Sequence, residues 1–199
     1  YLDLEQYQKQ IDYCSQALSI SQELEEKSMI GVSLDCIGYG YNFLGNYDKA
    51  INYSQRSITY MEELRLTAPG DIKRDYFEIL RDPYAHLISA YINNNEIPKA
   101  FEVLERSRSQ FFTEQLHRQE KDINIPSIEQ IQKLLSDNEA MIMYADSEWD
   151  SLYVFVVTKN AFKPFTIASE TLTSELLSED NSSLIDAIKF YHTYLSNPV

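Results

Sequence analysis

Two thiols and three imidazoles are the groups in this chain that nucleophilic chemistry would draw on: Cys14, Cys36, His86, His117 and His192. A cysteine nucleophile needs a thiolate beside an imidazole and an oxyanion hole. The spacing offers no such grouping. Cys14 and Cys36 sit inside helical patterns, far from any CxxC arrangement, so they read as small packed thiols in a reducing compartment rather than as a disulfide framework. His86 and His117 fall in the same helical region, and His192 follows Tyr191 near the C-terminus. Asp146, Glu148 and Asp150 alternate as the start of a cation loop would. The glycine and distal glutamate of such a loop are missing, so a solvated turn is the better reading. The chain has no metal-ligand spacing, P-loop or dinucleotide fingerprint. No catalytic residue, metal ligand or cofactor follows from these residues.

The composition is that of a folded chain, with 44% hydrophobic and 24% charged residues among 199. The net charge of -14 is uneven: residues 122–199 carry 12 acids against 4 bases. An acidic body repels phosphate backbones, which argues against a nucleic-acid partner. Arg106, Arg108, Arg118 and Lys121 form a locally basic stretch. Glu105, Glu114 and Glu120 interleave with it, so it reads as a solvated helix face. No apolar run approaches the roughly 20 residues needed to span a bilayer. A cytoplasmic protein is expected. The chain starts at Tyr1 and stops at Val199 within a helical pattern, so it reads as part of a longer protein.

Positioning any site in the first two thirds falls to a repeat. The stretches from Glu5 to Ile11, Gly45 to Ile51 and Asn95 to Phe101 share a pattern, and each continues as an amphipathic helix. In the second copy, Ile37, Gly38, Tyr41, Gly45, Tyr47 and Ala50 supply large apolar, small, aromatic, turn, aromatic and small residues in order. Gly38 and Ala50 let two antiparallel helices approach closely, and Tyr41 and Tyr47 fill the space around them. Gly45-Asn46 breaks the helix, since both residues tolerate a left-handed helix end. The first copy keeps its second helix, with Tyr7, Ile11, Tyr13, Ala17 and Leu18. The third has Leu87, Tyr91, Ile97, Ala100, Leu104 and Ser107, with Asn93-Asn94-Asn95 at the turn. Ala68-Pro69-Gly70-Asp71 reads as a turn between hairpins. These residues resemble the TPR motif. The intervals of 40 and 50 residues exceed the usual period of about 34. That implies longer helices or loops, as in bacterial variants of the repeat. A further hairpin is expected upstream.

After about Gln119 the repeat fades. Residues 121–126 read as a linker. Ser127 and Gln130 form a capping box for a short helix over 128–135. The period then shortens to that of strands, over 140–145, 152–158 and 162–167. The second run is apolar on both faces, as in a central strand covered on both sides. Pro164 places the third at an edge or bulge. From Ser182 the spacing Leu184, Ile185, Ile188, Tyr191, Leu195 restores a helix. The expected fold is a TPR-like superhelix of αα-hairpins over 1–120, then a partial α/β domain with a small sheet over 127–199.

Three features in order then resemble one family: the helix Ala100 to Gln110 with its Glu105-Arg106-Ser107-Arg108 segment, the helix Ile128 to Leu135, and the strands ending Leu152-Tyr153-Val154-Phe155-Val156-Val157-Thr158. Together they look like the junction of bacterial TPR–CHAT proteins, in which repeats precede a caspase-like cysteine peptidase domain. The resemblance covers roughly residues 30–199. It implies a parent protein that cleaves peptide bonds through a Cys–His dyad, activated when the repeats engage a partner. The family's dyad lies beyond this hairpin and no residue here matches it. The alternative is a non-catalytic scaffold in a larger assembly.

For the repeats themselves, stacked hairpins present the first helix of each pair on a concave face. The register places Val32, Asp35, Tyr39 and Asn42 there from the second copy, and Asp82, Ala85, Ser89 and Ile92 from the third. The expected partner is a protein or peptide. None of these positions is Lys or Arg, which disfavours a clamp for a peptide's C-terminal carboxylate.

Overall fold

Three turns of one kind order the helical part of the protein. The structure, a computed structural model, describes residues 4–115, 125–147 and 151–168. Helices α1 (Leu4–Glu23), α2 (Lys27–Phe43), α3 (Tyr47–Thr67), α4 (Gly70–Asn93) and α5 (Ile97–Gln115) follow one another, each packed on the next. Three of the four connections end in a left-handed residue: Glu25 at φ 56°, Gly45 at φ 73° and Asn95 at φ 59°. Their hydrogen bonds match. The N–H groups of Glu25, Gly45 and Asn95 donate to Gln22, Asn42 and Ile92, and those of Glu26, Asn46 and Glu96 donate to Ser21, Tyr41 and Tyr91. This is the Schellman arrangement, which satisfies the last carbonyls of a helix while reversing the chain. At the third of these turns Asn95 takes the place glycine holds at the second.

The α3–α4 connection is different. Ala68 is extended, at φ -71° and ψ 146°, as the residue before a proline must be, and Pro69 stands at the start of α4. Only Ala68 and Pro69 separate the helices, so the turn expected over 68–71 is shorter, with Gly70 and Asp71 inside α4. The longer second interval is filled by helix instead. α4 has 24 residues where α2 has 17.

The close approach expected at Gly38 is present. A Cβ there would lie 2.8 Å from Ser54 Oγ and 3.2 Å from Ala50 O, so α2 and α3 touch through backbone and small side chains. Ala50 and Ala100 are fully buried. Around them Leu34, Ile37, Met61, Leu87, Ile88, Phe101 and Leu104 make the core of this part. Tyr41 stacks on Tyr53, with their centroids 5.7 Å apart.

The expectation of packed thiols is overturned, because Cys14 and Cys36 form a disulfide between α1 and α2. The physical reason is the antiparallel turn. Cys14 and Cys36 lie equally far along the chain from Glu25, where it reverses, so they stand level on facing helices with Cα atoms 6.1 Å apart. Tyr7 and Phe43 are likewise equidistant from Glu25, and their rings stack at 4.4 Å.

A second compact unit begins at Asn124. Ser127 caps α6 (Ile128–Leu134) in a complete capping box. Its hydroxyl accepts from the Gln130 N–H, and Gln130 Oε1 accepts from the Ser127 N–H. Strands β1 (Ala140–Ser147), β2 (Ser151–Thr158) and β3 (Ala161–Ala168) form an antiparallel sheet in the order β1-β2-β3, with β2 central as expected. In-register pairs such as Met143 with Phe155 and Ala145 with Tyr153 set one face. On it Met143, Ala145, Tyr153, Phe155 and Val157 are buried, and α6 packs against β2. On the other face Val154 and Val156 are half-buried, while Ile142 and Tyr144 are exposed. Pro164 lies on β3 opposite Phe155. The helix expected from Ser182 lies outside the described residues. The described residues are mostly helical, with a small three-stranded antiparallel sheet.

Candidate functional site

Helices α2 and α4 pack against each other. Their residues at positions three, four and seven apart share a face, and those faces meet. Asp35 on α2 meets His86 on α4, where the imidazole Nδ1 lies 2.7 Å from the carboxylate, with both side chains largely buried. One turn on, the Tyr39 ring tilts against His86 at 4.9 Å and against Tyr7 and Phe43 on its other flank. Burial, reinforced by Tyr7, holds the Tyr39 hydroxyl above its ordinary pKa. Another turn on, Asn42 is buried and used at both ends. Its Nδ2 donates to Ser89 Oγ at 3.1 Å, and its Oδ1 accepts from Asn93 at 3.0 Å. These three levels form a polar ladder between α2 and α4.

The eight residues assigned to a partner face therefore divide. Asp35, Tyr39, Asn42 and Ser89 come together in the ladder, with Asn42 and Ser89 buried. Val32 and Asp82 stay exposed, and Met29, one turn before Val32 on α2, is 49% exposed. Ala85 and Ile92 are half-buried. A ligand meeting this face would touch an apolar strip on α2 and a carboxylate on α4, over a backing that is already hydrogen-bonded.

Helices α3, α4 and α5 share a second polar cluster that the sequence analysis did not place. Glu62 on α3 accepts from Tyr84 on α4 and from Arg106 on α5, the latter at 2.7 Å. Arg106 is therefore tied across helices to α3. The spacing gave no sign of this, because the partners lie 22 and 44 residues from Glu62. Nearby, Gln55 donates to the Tyr91 hydroxyl at 2.8 Å. Burial raises the Tyr91 pKa, and the Lys99 ammonium partly opposes that rise. Burial likewise raises the Glu105 carboxyl, with Arg108 acting the other way.

Nothing in this arrangement makes a nucleophile. Cys14 and Cys36 are bonded to each other, and His86 is engaged by Asp35. His117 and His192 lie outside the described residues, as do Glu148 and Asp150 of the acidic loop. The signal that would have found the disulfide was present in the sequence as the symmetry of Cys14 and Cys36 about Glu25. It needed the turn at Glu25, and glutamate is a residue type that does not announce a left-handed turn. Among the described residues no helix is long and apolar enough to cross a membrane. No family model, curated protein or solved structure matches the chain.

Proposed function

We propose that residues 1–123 are a TPR-type superhelical scaffold that binds a protein or peptide along the face shared by α2 and α4. The observation that carries this reading is the ladder from Asp35–His86 to Asn42–Ser89. It fixes α2 and α4 to each other and leaves Val32, Met29 and Asp82 outside. A surface already braced in this way loses little entropy when a partner docks, which is how a preorganised site gains affinity. On this reading the second unit opens a caspase-like CHAT domain, and the parent protein is a cytoplasmic peptidase that the repeats switch on. No catalytic group of that peptidase is assigned to this chain. The three matching turns and the resemblance at the junction support this assignment.

The binding claim is tested with peptides selected against the full chain from a random display library and measured by calorimetry. Val32→Glu and Asp82→Lys should each weaken a selected peptide by about tenfold, the loss of one well-placed contact. Thr59→Glu, on the exposed side of α3, should leave the affinity unchanged. Affinity indifferent to Val32 and Asp82 would remove the assignment of this face.

A further inference from the structure

We propose that the Cys14–Cys36 bridge is a reversible, redox-responsive staple whose reduction releases the second half of α1 while leaving the rest of the helical unit folded. α1 is held unevenly along its length. Its first half is anchored by packing: Tyr7 stacks on Phe43, and Ile11 is 3% exposed under the space where Gly40 lacks a side chain. Beyond Ile11 the chain presents Tyr13 and Ile20 on α1, and Leu24 just after it, to solvent, at 69%, 57% and 67% exposure. Ser21 is the one residue of α1 beyond Ile11 that is buried, and its hydroxyl turns back to Ala17 O rather than across to α2. Between Ile11 and the Glu25 turn, the disulfide is the covalent tie to α2. Gln10, which donates to Cys36 O at 3.3 Å, marks the last polar tie before it.

Both cysteines are half-buried rather than sealed, so a reductant can reach the bridge. In a reducing compartment a disulfide of this kind is transient and redox-sensing rather than structural. The step is thiol–disulfide exchange with a dithiol. One thiolate of the dithiol attacks a sulfur of the bridge, breaking the S–S bond and forming a mixed disulfide. The second thiolate of the dithiol then displaces the remaining protein thiolate. Cys14 and Cys36 gain two electrons and two protons, and the dithiol leaves as its own disulfide. Cys36 directly follows Asp35 and lies one turn before Tyr39. The staple therefore ends on the helix whose next face carries the ladder. This inference does not depend on what binds that face.

The test is hydrogen exchange by mass spectrometry on the full chain, with and without dithiothreitol, alongside thiol titration. Protein purified in air should titrate no free thiol, and two per chain after reduction. Reduction should speed exchange over residues 13–24 by at least about tenfold while α3 keeps its protection, the pattern of a local opening rather than a global one. Reoxidation should restore it. Cys14→Ser/Cys36→Ser should show the reduced pattern and ignore dithiothreitol. Two titratable thiols in air, unchanged exchange in α1 on reduction, or an equal loss of protection through α3 would each overturn the proposal. These outcomes are read on the unmodified chain, so the proposal stays falsifiable if the double variant fails to fold.

Discussion

Glu25 and Asn95 occupy backbone positions that an L-residue with a Cβ reaches at a cost. At Glu25 that cost is roughly 1 kcal/mol, because glutamate lacks the short side-chain hydrogen bonds that let asparagine tolerate the same geometry. Glycine there would recover it but would lose more freedom on folding than glutamate does, an offset of up to about 1 kcal/mol. Glu25→Gly should therefore stabilise modestly, by about 0.5 kcal/mol in a urea melt, and Asn95→Gly by less. Gly45→Ala should destabilise by about 1 kcal/mol. No atom lies within 4 Å of the added Cβ, so the loss would be one of backbone conformation alone. Glu105 gives a pH test at the same scale. Burial raises its folded-state pKa above the unfolded value. Its contribution is then present in acid and is lost as pH rises through the folded-state pKa. Glu105→Gln should raise the melting temperature at pH 7, and the gain should disappear near pH 3, where both side chains are neutral.

At the scale of the element, α2 is the helix pressed from both sides, and its glycines differ in what presses them. A Cβ at Gly31 would meet Met61 side-chain atoms at 2.9 to 3.0 Å, and methionine is flexible enough to yield. At Gly38 the added atom would meet Ala50 O and Ser54 N at 3.2 Å, and backbone atoms do not turn aside. Alanine in a helix gains about 1 kcal/mol over glycine, which offsets a soft contact but not a hard one. Gly31→Ala should be close to neutral, while Gly38→Ala should cost about 1 to 3 kcal/mol, read from thermal unfolding. Ser54 sharpens this contrast. Its hydroxyl is buried and makes no hydrogen bond, so Ser54→Ala should be neutral or stabilising and should soften the Gly38→Ala loss. These elements were largely legible beforehand: Gly38, Ala50 and Ala100 marked where helices meet, and Ser127 with Gln130 marked where α6 begins. The partners across the stack were less so. Asp35 pairs with a residue 51 positions away, and periodicity places a residue on a face without saying which side chain will stand opposite.

The whole chain carries two separate cores, and its separation near residue 120 was legible because the period of the apolar residues changes from helical to strand-like there. The disulfide was not legible, since the cysteines were read by motif spacing while the chain reversal that levels them lies at a glutamate. A core that belongs to one unit can melt without the other. In the first unit the polar ladder turns on Asn42. Removing its amide leaves the buried Ser89 hydroxyl without that partner, a loss of about 1 to 3 kcal/mol. In the second unit Phe155 is fully buried at the centre of the sheet, and truncating such a side chain to alanine costs about 3 to 5 kcal/mol. Differential scanning calorimetry of the full chain should resolve two transitions. Asn42→Ala should lower one, Phe155→Ala the other, and the double variant should lower each transition by the amount its own substitution lowers it alone. A single transition that both substitutions shift together would mean that the chain folds as one cooperative body and that the two cores are not independent.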